Sequence, residues 1–323
     1  MSILITGGAG FIGSHTAKLF HESGEDVVVL DNLTTGHRED ARWGSFIEGN
    51  IADVSLVRSI IRQYNVTTVL HLAASSQVGD SMINPDVYFA NNVCGSIALL
   101  EAMLAENVIQ FVFASSCSVY GESASLFAHE DEPVTPVSPY GESKLQIERA
   151  LPWYQRASGL RWTALRYFNV AGATDGLGED ISVSPRIIPR AVHSIVNSGP
   201  ELKVFGTQFP TVDGSAVRDF VHVNDVARAN LNALRFVAKS PAGAVINIGS
   251  GSGVSVLQII EAVSGQVGQP VAYQPWPERL GDPAHSVSDI SKARNFLGWE
   301  PIASSLPNIV ASVIGSCYAR MKS

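Results

Sequence analysis

Ile3-Leu4-Ile5-Thr6-Gly7-Gly8-Ala9-Gly10-Phe11-Ile12-Gly13 decides the fold of this chain. Four residues of strand character run into a glycine loop. The next residues, Phe11–Ser23, place Phe11, Ile12, His15, Leu19 and Phe20 near one face of a helix. A glycine loop between a strand and a helix leaves unpaired backbone N–H groups and a helix N-terminus facing outward, which suits a pyrophosphate. Gly7 permits the tight turn, Gly10 lets phosphates approach, and Gly13 lets the helix pack close to the strand. The glycine pattern alone is as often a mere turn, so its surroundings matter. Asp26-Val27-Val28-Val29-Leu30 is a β-branched run of the kind buried on both faces. It ends on Asp31, about 20 residues beyond the loop, where a dinucleotide-binding unit carries its ribose-binding acid. Asp31 would accept hydrogen bonds from the ribose hydroxyls and repel a 2′-phosphate, which favours NAD over NADP. The competing reading, a turn aspartate before Asn32, is outweighed by that context.

The alternation continues outward from this unit. Phe46–Glu48, Thr68–His71, Phe111–Ala114 and Trp162–Arg166 read as strands, while Val54–Tyr64, Val93–Glu106 and a segment opened by Pro139-Tyr140 read as helices. Strand–helix–strand units at this spacing imply right-handed crossovers. The expected class is α/β, a Rossmann-type doubly wound parallel sheet with a smaller C-terminal α/β substrate lobe. After Asn169 the pattern loosens: Gly172–Ser184 is Gly/Asp-rich, helices are expected at about 186–197, 224–237 and 255–264, short strands near 203–205, 220–222 and 245–248, and Gln274–His285 is rich in Pro and Gly. The division expected is 1–170 for the cofactor and 171–323 mainly for a substrate, with some later strands returning to the first sheet.

A second constellation sits at Tyr140-Gly141-Glu142-Ser143-Lys144. Positions i and i+4 project from one helix face. A phenol has an ordinary pKa near 10; a nearby ammonium, together with a cationic nicotinamide ring, would stabilise the phenolate and bring it towards the working range. Tyr-x-x-x-Lys alone is usually a surface pair. The glycine loop reverses that weighting, as does Ser115-Ser116 at the end of the preceding strand, where open α/β sheets bind ligands.

Gross composition narrows the function further. A net charge of −8 argues against nucleic acid as the main partner. Cys94, Cys117 and Cys317 are too scattered for a disulfide framework or zinc site, and the histidines show no ligand spacing, so no metal is expected. No apolar run reaches the roughly 18 residues of a membrane span, and no signal peptide is evident. A cytoplasmic location is expected.

Read together, the segments ILITGGAGFIGSH (3–15), VVVLDNL (27–33), VLHLAA (69–74), NNVCG (91–95), FASSCSVYG (113–121), SPYGESKLQIE (138–148), LRYFNVAGA (165–173), GLGED (176–180), FGTQFPTVDGSAVRDFVHVNDVA (205–227), NIGSGSGVSV (247–256) and RLGDPAHSVSDISKA (279–293) span nearly the whole chain. By these segments the chain resembles the extended short-chain dehydrogenase/reductases, and within them the UDP-glucose 4-epimerase subgroup. The resemblance implies NAD-dependent 4-epimerisation of a UDP-hexose through a transient 4-keto sugar, with NAD retained. It implies that Ser116 and Tyr140 shuttle the sugar 4-OH proton with Lys144 in support. It places Gly7, Gly10, Phe11, Ile12, Gly13, Asp31, Asn32, Thr35, Gly36, Asn50, Ile51, Leu72, Ala73, Ala74, Ser76, Asn91, Tyr167 and Phe168 around NAD, together with Tyr140 and Lys144. Asn169, Arg186, Ile187, Lys203, Val204, Phe205, Arg218, Arg279, Asp282 and Ser286 fall where the family holds the nucleotide-sugar. Arg218 and Arg279 suit a pyrophosphate clamp, because guanidinium forks match phosphate oxygens. A homodimer is implied, through the helices at 93–106 and 140–155.

Departures sharpen this expectation. Related dehydratases place Asp-Glu directly after the active-site hydroxyl, and decarboxylating relatives carry Glu before Val-Tyr-Gly. Cys117 and Ser118 stand there instead, which disfavours both chemistries. Ser76 stands where some members put a lysine, and Asn50 where an aspartate meets the adenine. Arg186 replaces an asparagine or histidine; it would add a phosphate contact, or accommodate a sugar carboxylate or an altered ligand. Ser286 falls within a residue of the position whose bulk gates the sugar C2 substituent, so UDP-N-acetylhexosamine is expected to fit beside UDP-hexose. The rivals are another nucleotide-sugar enzyme of the same family, a UDP-glucuronate epimerase or a dehydratase, and a non-catalytic NAD-binding protein.

Overall fold

A computed structural model describes residues 1–320 except 124, 175, 197, 198 and 280. The first half supplies β1 (Ser2–Thr6), α1 (Phe11–Glu22), β2 (Asp26–Asp31), β3 (Ser45–Glu48), α2 (Val54–Tyr64), β4 (Thr68–His71), the short α3 (Val78–Ser81) and α4 (Pro85–Tyr88), α5 (Gly95–Ala105), β5 (Gln110–Ser116), α6 (Pro139–Ser158) and β6 (Arg161–Tyr167). The second supplies β7 (Asn169–Ala171), α7 (Ile187–Val196), β8 (Leu202–Phe205), β9 (Val217–His222), α8 (Val223–Lys239), β10 (Ala244–Ile248), β11 (Gly253–Ser255), α9 (Val256–Val267), β12 (Tyr273–Trp276), β13 (His285–Ser286) and α10 (Leu306–Arg320). The helix expected at about 186–197 ends at Val196, residue 197 lying outside the described set.

Seven strands form one parallel sheet in the order β10-β6-β5-β4-β1-β2-β3. Side chains alternate between its faces, as strand geometry requires. Ile3 and Ile5 of β1, Val27 and Val29 of β2, and Val112 and Ala114 of β5 pack on one side with Phe20 of α1 and Val226 and Leu234 of α8. Leu4, Val28, Leu30, Phe111 and Phe113 pack on the other with Val57 and Ile60 of α2 and Leu99 and Met103 of α5. This is why these strands read as continuous apolar runs. A third core joins α7, α9 and α10 to β8 and β9. There β9 pairs with β7, β11 and β13, and β8 pairs with β12, in two small sheets.

One helix is longer than the apolar pattern suggests. From α4 the chain passes through a π-helical turn at Phe89–Cys94 directly into α5. The continuous stretch Pro85–Ala105 has 21 residues, and an 18-residue window within it has a mean hydropathy of 1.3, enough by length and composition to cross a membrane. In this fold it flanks the sheet, with Leu99, Leu100 and Met103 fully buried against β5. The π turn re-aims Asn92 inward, a use such turns commonly have.

The segment after α8 is tied down by one carboxylate. Asp225 is fully buried, and its Oδ2 accepts from Ile302 N at 3.0 Å, Ala303 N at 2.8 Å and Ser304 Oγ at 2.6 Å. Its Oδ1 accepts from Arg228 at 2.9 Å, and its carbonyl from the Trp299 indole at 2.9 Å. Asp225→Ala would remove the acceptor of two backbone N–H groups, the Ser304 hydroxyl and Arg228, and loosen the Trp299 corner. Equilibrium urea unfolding should show a loss of about 3 kcal/mol; a change within 0.5 kcal/mol would contradict this role for the carboxylate.

Candidate active site

Because the seven strands run parallel, their carboxyl ends collect on one edge: Thr6, Asp31, His71, Ser116, Tyr167 and Ile248. The site residues expected from sequence lie along it and on the lobe above.

The glycine loop is built for close approach. Gly7 has φ +73°, and a Cβ there would come within 2.6 Å of Ala73 N; at Gly13 it would come within 2.1 Å of the Gly7 carbonyl. At Gly10 a Cβ would meet only that carbonyl, at 3.3 Å, so the space beyond is open to a ligand. No side chain caps α1, and no acid occupies its first turn. The N–H groups of Phe11, Ile12 and Gly13 and the positive end of the helix dipole are thus left for an anion. These are the features a dinucleotide pyrophosphate needs, and the chain fits NAD on that ground.

Asp31, at the end of β2, accepts from Ala9 N at 3.0 Å and Leu33 N at 2.9 Å. It thereby fixes the glycine loop against the following turn, where Leu33 is held at φ +57°. Asn32 accepts from Thr34 N at 3.2 Å and from its hydroxyl at 2.8 Å, leaving Thr35 exposed and Gly36 backed onto Ala9. Asn50 spends its side-chain oxygen on Ala52 N at 2.9 Å, so what it offers an adenine is its amide donor; Ile51 beside it is buried. Leu72, Ala73 and Ala74 leave β4 across the face of Gly7, and Ser76 is exposed. Asn91 donates to Ser75 Oγ at 3.4 Å. Tyr167 and Phe168 turn their side chains into the core: the Tyr167 phenol donates to Asn230 at 2.5 Å, and Phe168 packs with Val119, Tyr120 and Leu145. Their backbone is what they can offer a ligand.

The Tyr–Lys helix is fixed at its start. Ser138 caps α6 by accepting from Gly141 N at 3.1 Å, and Pro139 follows at the first helical position. The Ser116 hydroxyl, which donates to Ser118 Oγ at 3.2 Å, lies near enough to the Tyr140 phenol to oppose its upward pKa shift. Lys144 is buried; its Nζ donates to the Ala114 carbonyl at 2.8 Å and lies 5.0 Å from the Phe113 ring centroid and 5.9 Å from that of Tyr140. Burial lowers its pKa to about 7, against the pull of Glu148. His71 behind it is held neutral, its pKa lowered to about 3 by burial and then by Lys144. Its ring joins Thr6 Oγ1 at 2.7 Å to Ser96 Oγ at 2.8 Å.

The phenol differs from expectation. Burial raises the Tyr140 pKa and Cys117 adds to this, while Ser116 and Arg186 oppose it. Lys144, whose ammonium donates to the Ala114 carbonyl, is not among the groups that lower the phenol.

On the lobe side, Ser286 of β13 lies in register with Arg218 of β9 and near the Cys117 thiol, whose pKa burial raises to about 11 while Ser286 opposes the rise. Arg218 pairs with Asp282 and donates to the Val217 carbonyl at 2.9 Å. The Arg279 guanidinium lies 3.8 Å above the Phe205 ring. Burial lowers the Arg279 pKa, and with Asp282 opposing, Arg190 and Arg218 lower it further. Three guanidinium groups therefore share one neighbourhood with one acid, a demand for an anion. Asn169 donates to the Asp219 carbonyl at 3.2 Å. Arg186 stands just before Ile187, the first residue of α7; it pairs with Glu179 at 2.5 Å and its guanidinium lies 5.4 Å from the Phe11 ring centroid. Lys203 is exposed, 3.8 Å over Trp276, and Val204 points into the core.

Several supporting residues escaped the sequence reading. Arg190 falls four positions after Arg186, a spacing that could have drawn notice. Asn92 accepts from Ser75 N at 2.8 Å and donates to the Ser75 carbonyl at 2.9 Å and Ser143 Oγ at 3.1 Å, joining the cofactor side to α6. Asp219 accepts from Ser250 N at 2.6 Å, Gly251 N at 3.1 Å and Ser288 N at 3.1 Å. Among the described residues no cluster suits a metal ion.

Residues 3–249 match the NAD dependent epimerase/dehydratase family. The UDP-glucose 4-epimerase of Halalkalibacterium halodurans is 41% identical over 312 residues, covering 96% of this chain and 93% of that protein. The crystal structure of UDP-glucose 4-epimerase from Brucella ovis in complex with NAD is 39% identical, with a TM-score of 0.94 over 97% of each chain. The UDP-Glc/GlcNAc 4-epimerase of Campylobacter jejuni is 34% identical, with a TM-score of 0.86 over 98% of this chain and 99% of that one.

The glycine cradle yields a direct test. Gly13→Ala should yield a folded protein that has lost at least about tenfold in NAD affinity, because α1 must move off the Gly7 carbonyl. Fluorescence titration with NAD reads this; unaltered affinity would show that α1 does not seat the pyrophosphate.

Proposed function

The chain belongs to the NAD dependent epimerase/dehydratase family, and on that premise we propose that it interconverts UDP-glucose and UDP-galactose by inverting C4 of the sugar. The observation that carries this reading is the Tyr140–Ser116 hydroxyl pair. It sits over Lys144 on the edge that carries the glycine cradle, with the arginine cluster on the facing lobe. When bound, NAD supplies a reversible two-electron oxidant for C4, so the cycle needs no second substrate. Tyr140 takes the 4-OH proton, directly or through Ser116, and returns it once the transient 4-keto sugar has turned over. Lys144 holds its ammonium 5.9 Å from the Tyr140 ring centroid and would be the residue to hold the nicotinamide ribose. Arg218 and Arg279 grip the diphosphate, so the sugar can rotate while the nucleotide stays fixed. Because burial raises the Tyr140 pKa, the phenolate would be favoured by the positive charge that bound NAD would supply.

Two side readings lose ground. Dehydration needs an acid and a base after Ser116, and Cys117 and Ser118 are neither. A uronic acid would want a free guanidinium near Tyr140, and Arg186 is already paired with Glu179. Tyr140 and Lys144 in register argue against a silent NAD-binding protein.

Residues 1–170 chiefly hold NAD and 171–323 chiefly hold the UDP-sugar, although β10 belongs to the large sheet. Two copies pair through α5 and α6; Trp153, 67% exposed on α6, supports this. The acidic surface fits a cytoplasmic enzyme without nucleic acid or membrane partners.

Purified protein incubated with UDP-galactose and no added cofactor should produce UDP-glucose. Tyr140→Phe should slow this by about 10²-fold or more while NAD stays bound. A wild-type protein that leaves UDP-galactose untouched would sink the function. Ser286, small and against Cys117, leaves room for an N-acetyl group at C2. UDP-N-acetylglucosamine should therefore also turn over, and Ser286→Tyr should remove that activity while sparing UDP-galactose. Equal loss on both sugars would refute the gate.

A further inference from the structure

One helical turn beyond Lys144 lies a buried ionic cluster that the scheme above does not use. Glu148 is 6% exposed and Arg166 4%. Glu148 Oε1 accepts from the Ser115 hydroxyl at 2.5 Å and from Arg166 Nε at 3.0 Å, and Oε2 accepts from Arg166 Nη2 at 2.6 Å. Arg166 also donates to the Glu130 carbonyl at 3.4 Å, and its guanidinium lies 4.7 Å from the Tyr120 ring centroid. A buried ion pair recovers little more than its desolvation cost, so stability is a weak reason for one. The cluster's position supplies a stronger reason. Ser115 immediately precedes Ser116 on β5. Glu148 stands four residues after Lys144, as Lys144 stands four after Tyr140, so the three side chains follow one another down a single helix face. The carboxylate thus touches both elements that must face each other for the reaction.

We propose that Glu148 is a positioning residue of the epimerisation: through Ser115 and Arg166 it locks α6 to the ends of β5 and β6, and it supplies the negative charge that keeps buried Lys144 an ammonium ion. The inference rests on the function proposed above and concerns the same site. The other groups facing Lys144 cannot replace it. From β4 comes His71, neutral in this setting. From β5 come the Phe113 ring and the Ala114 carbonyl. From α6 comes Tyr140. The π turn brings only uncharged Asn92 towards α6, and Arg166 on β6 is turned to Glu148. Among the described residues, Glu148 is the acid that strengthens the hold of Lys144 on its proton.

The sign follows from the charge. With a neutral residue at 148, Lys144 sheds its proton at lower pH. Without its ammonium charge Lys144 would add nothing to the positive field that bound NAD would bring to the phenolate, so turnover fails earlier as pH rises. The holoenzyme's kcat for UDP-galactose, followed against pH, should show its alkaline limb about one unit lower in Glu148→Gln than in the wild type. KM should stay within about twofold, since no substrate contact is lost, and Glu148→Asp should bring the limb part of the way back. A profile that superimposes on the wild type, or drops by one factor at every pH, overturns the proposal. Should Glu148→Gln not fold with Arg166 unpaired, the double variant Glu148→Gln with Arg166→Gln leaves no lone buried charge and is judged on the same limb. A wild type inert towards UDP-galactose would sink the function and this proposal with it; an unmoved limb in an active enzyme sinks this one alone.

Discussion

The parallel run of seven strands is the constraint on which everything else here rests. Parallel pairing sends each strand's carboxyl end to the same edge and puts a crossover on each face. The edge then gathers residues far apart in sequence: Asp31 from β2, Ser116 from β5, and Gly7 just past β1. The crossover helices return with N-termini near that edge, which puts the uncapped start of α1 and the capped start of α6 on one side of the molecule. The two starts differ for a physical reason. Ser138 satisfies the first turn of α6, fixing Tyr140, whereas the first turn of α1 is left open for a ligand's negative charge.

Buried carboxylates perform the joining that apolar packing cannot specify. Asp219 ties β9 to the turns at Ser250 and Ser288, Asp225 ties α8 to the segment 302–304, and Glu148 ties α6 to β5 and β6. Each is fully or almost fully buried and has several donors, the condition under which burying a charge is tolerable. Such groups fix orientation as well as proximity. The small lobe has short strands and modest apolar cores, so its alignment with the large sheet depends on them.

The sequence was most informative where periodicity and glycine geometry leave few alternatives. The strands from β1 to β6, Val54–Tyr64 and the opening of α6 were readable because every one of these strands but the edge strand β3 is largely buried and the helix at Val54–Tyr64 carries a clean stripe. The π turn at Phe89–Cys94 was not, since an extra residue per turn leaves no mark in a hydropathy pattern. Nor were β7, β11 and β12, each only three or four residues long. Within the site, the glycines and the Tyr–Lys pair announced themselves by spacing, while Ser116 needed its place at a strand end. Asn92, Glu148 and Arg190 were invisible for a different reason: their meaning lies in partners from other elements. The opposing push on Tyr140 was likewise unreadable, because it comes from burial by elements far apart in sequence.

Arg186 reaches from the start of α7 to the face of Phe11, the first residue of the helix that seats the pyrophosphate. The lobe therefore rests on the very end of the cofactor's cradle, like a latch across a drawer. A shift of α7 is therefore felt at the first turn of α1, so the two halves of the molecule share a mechanical link at the open end of that helix.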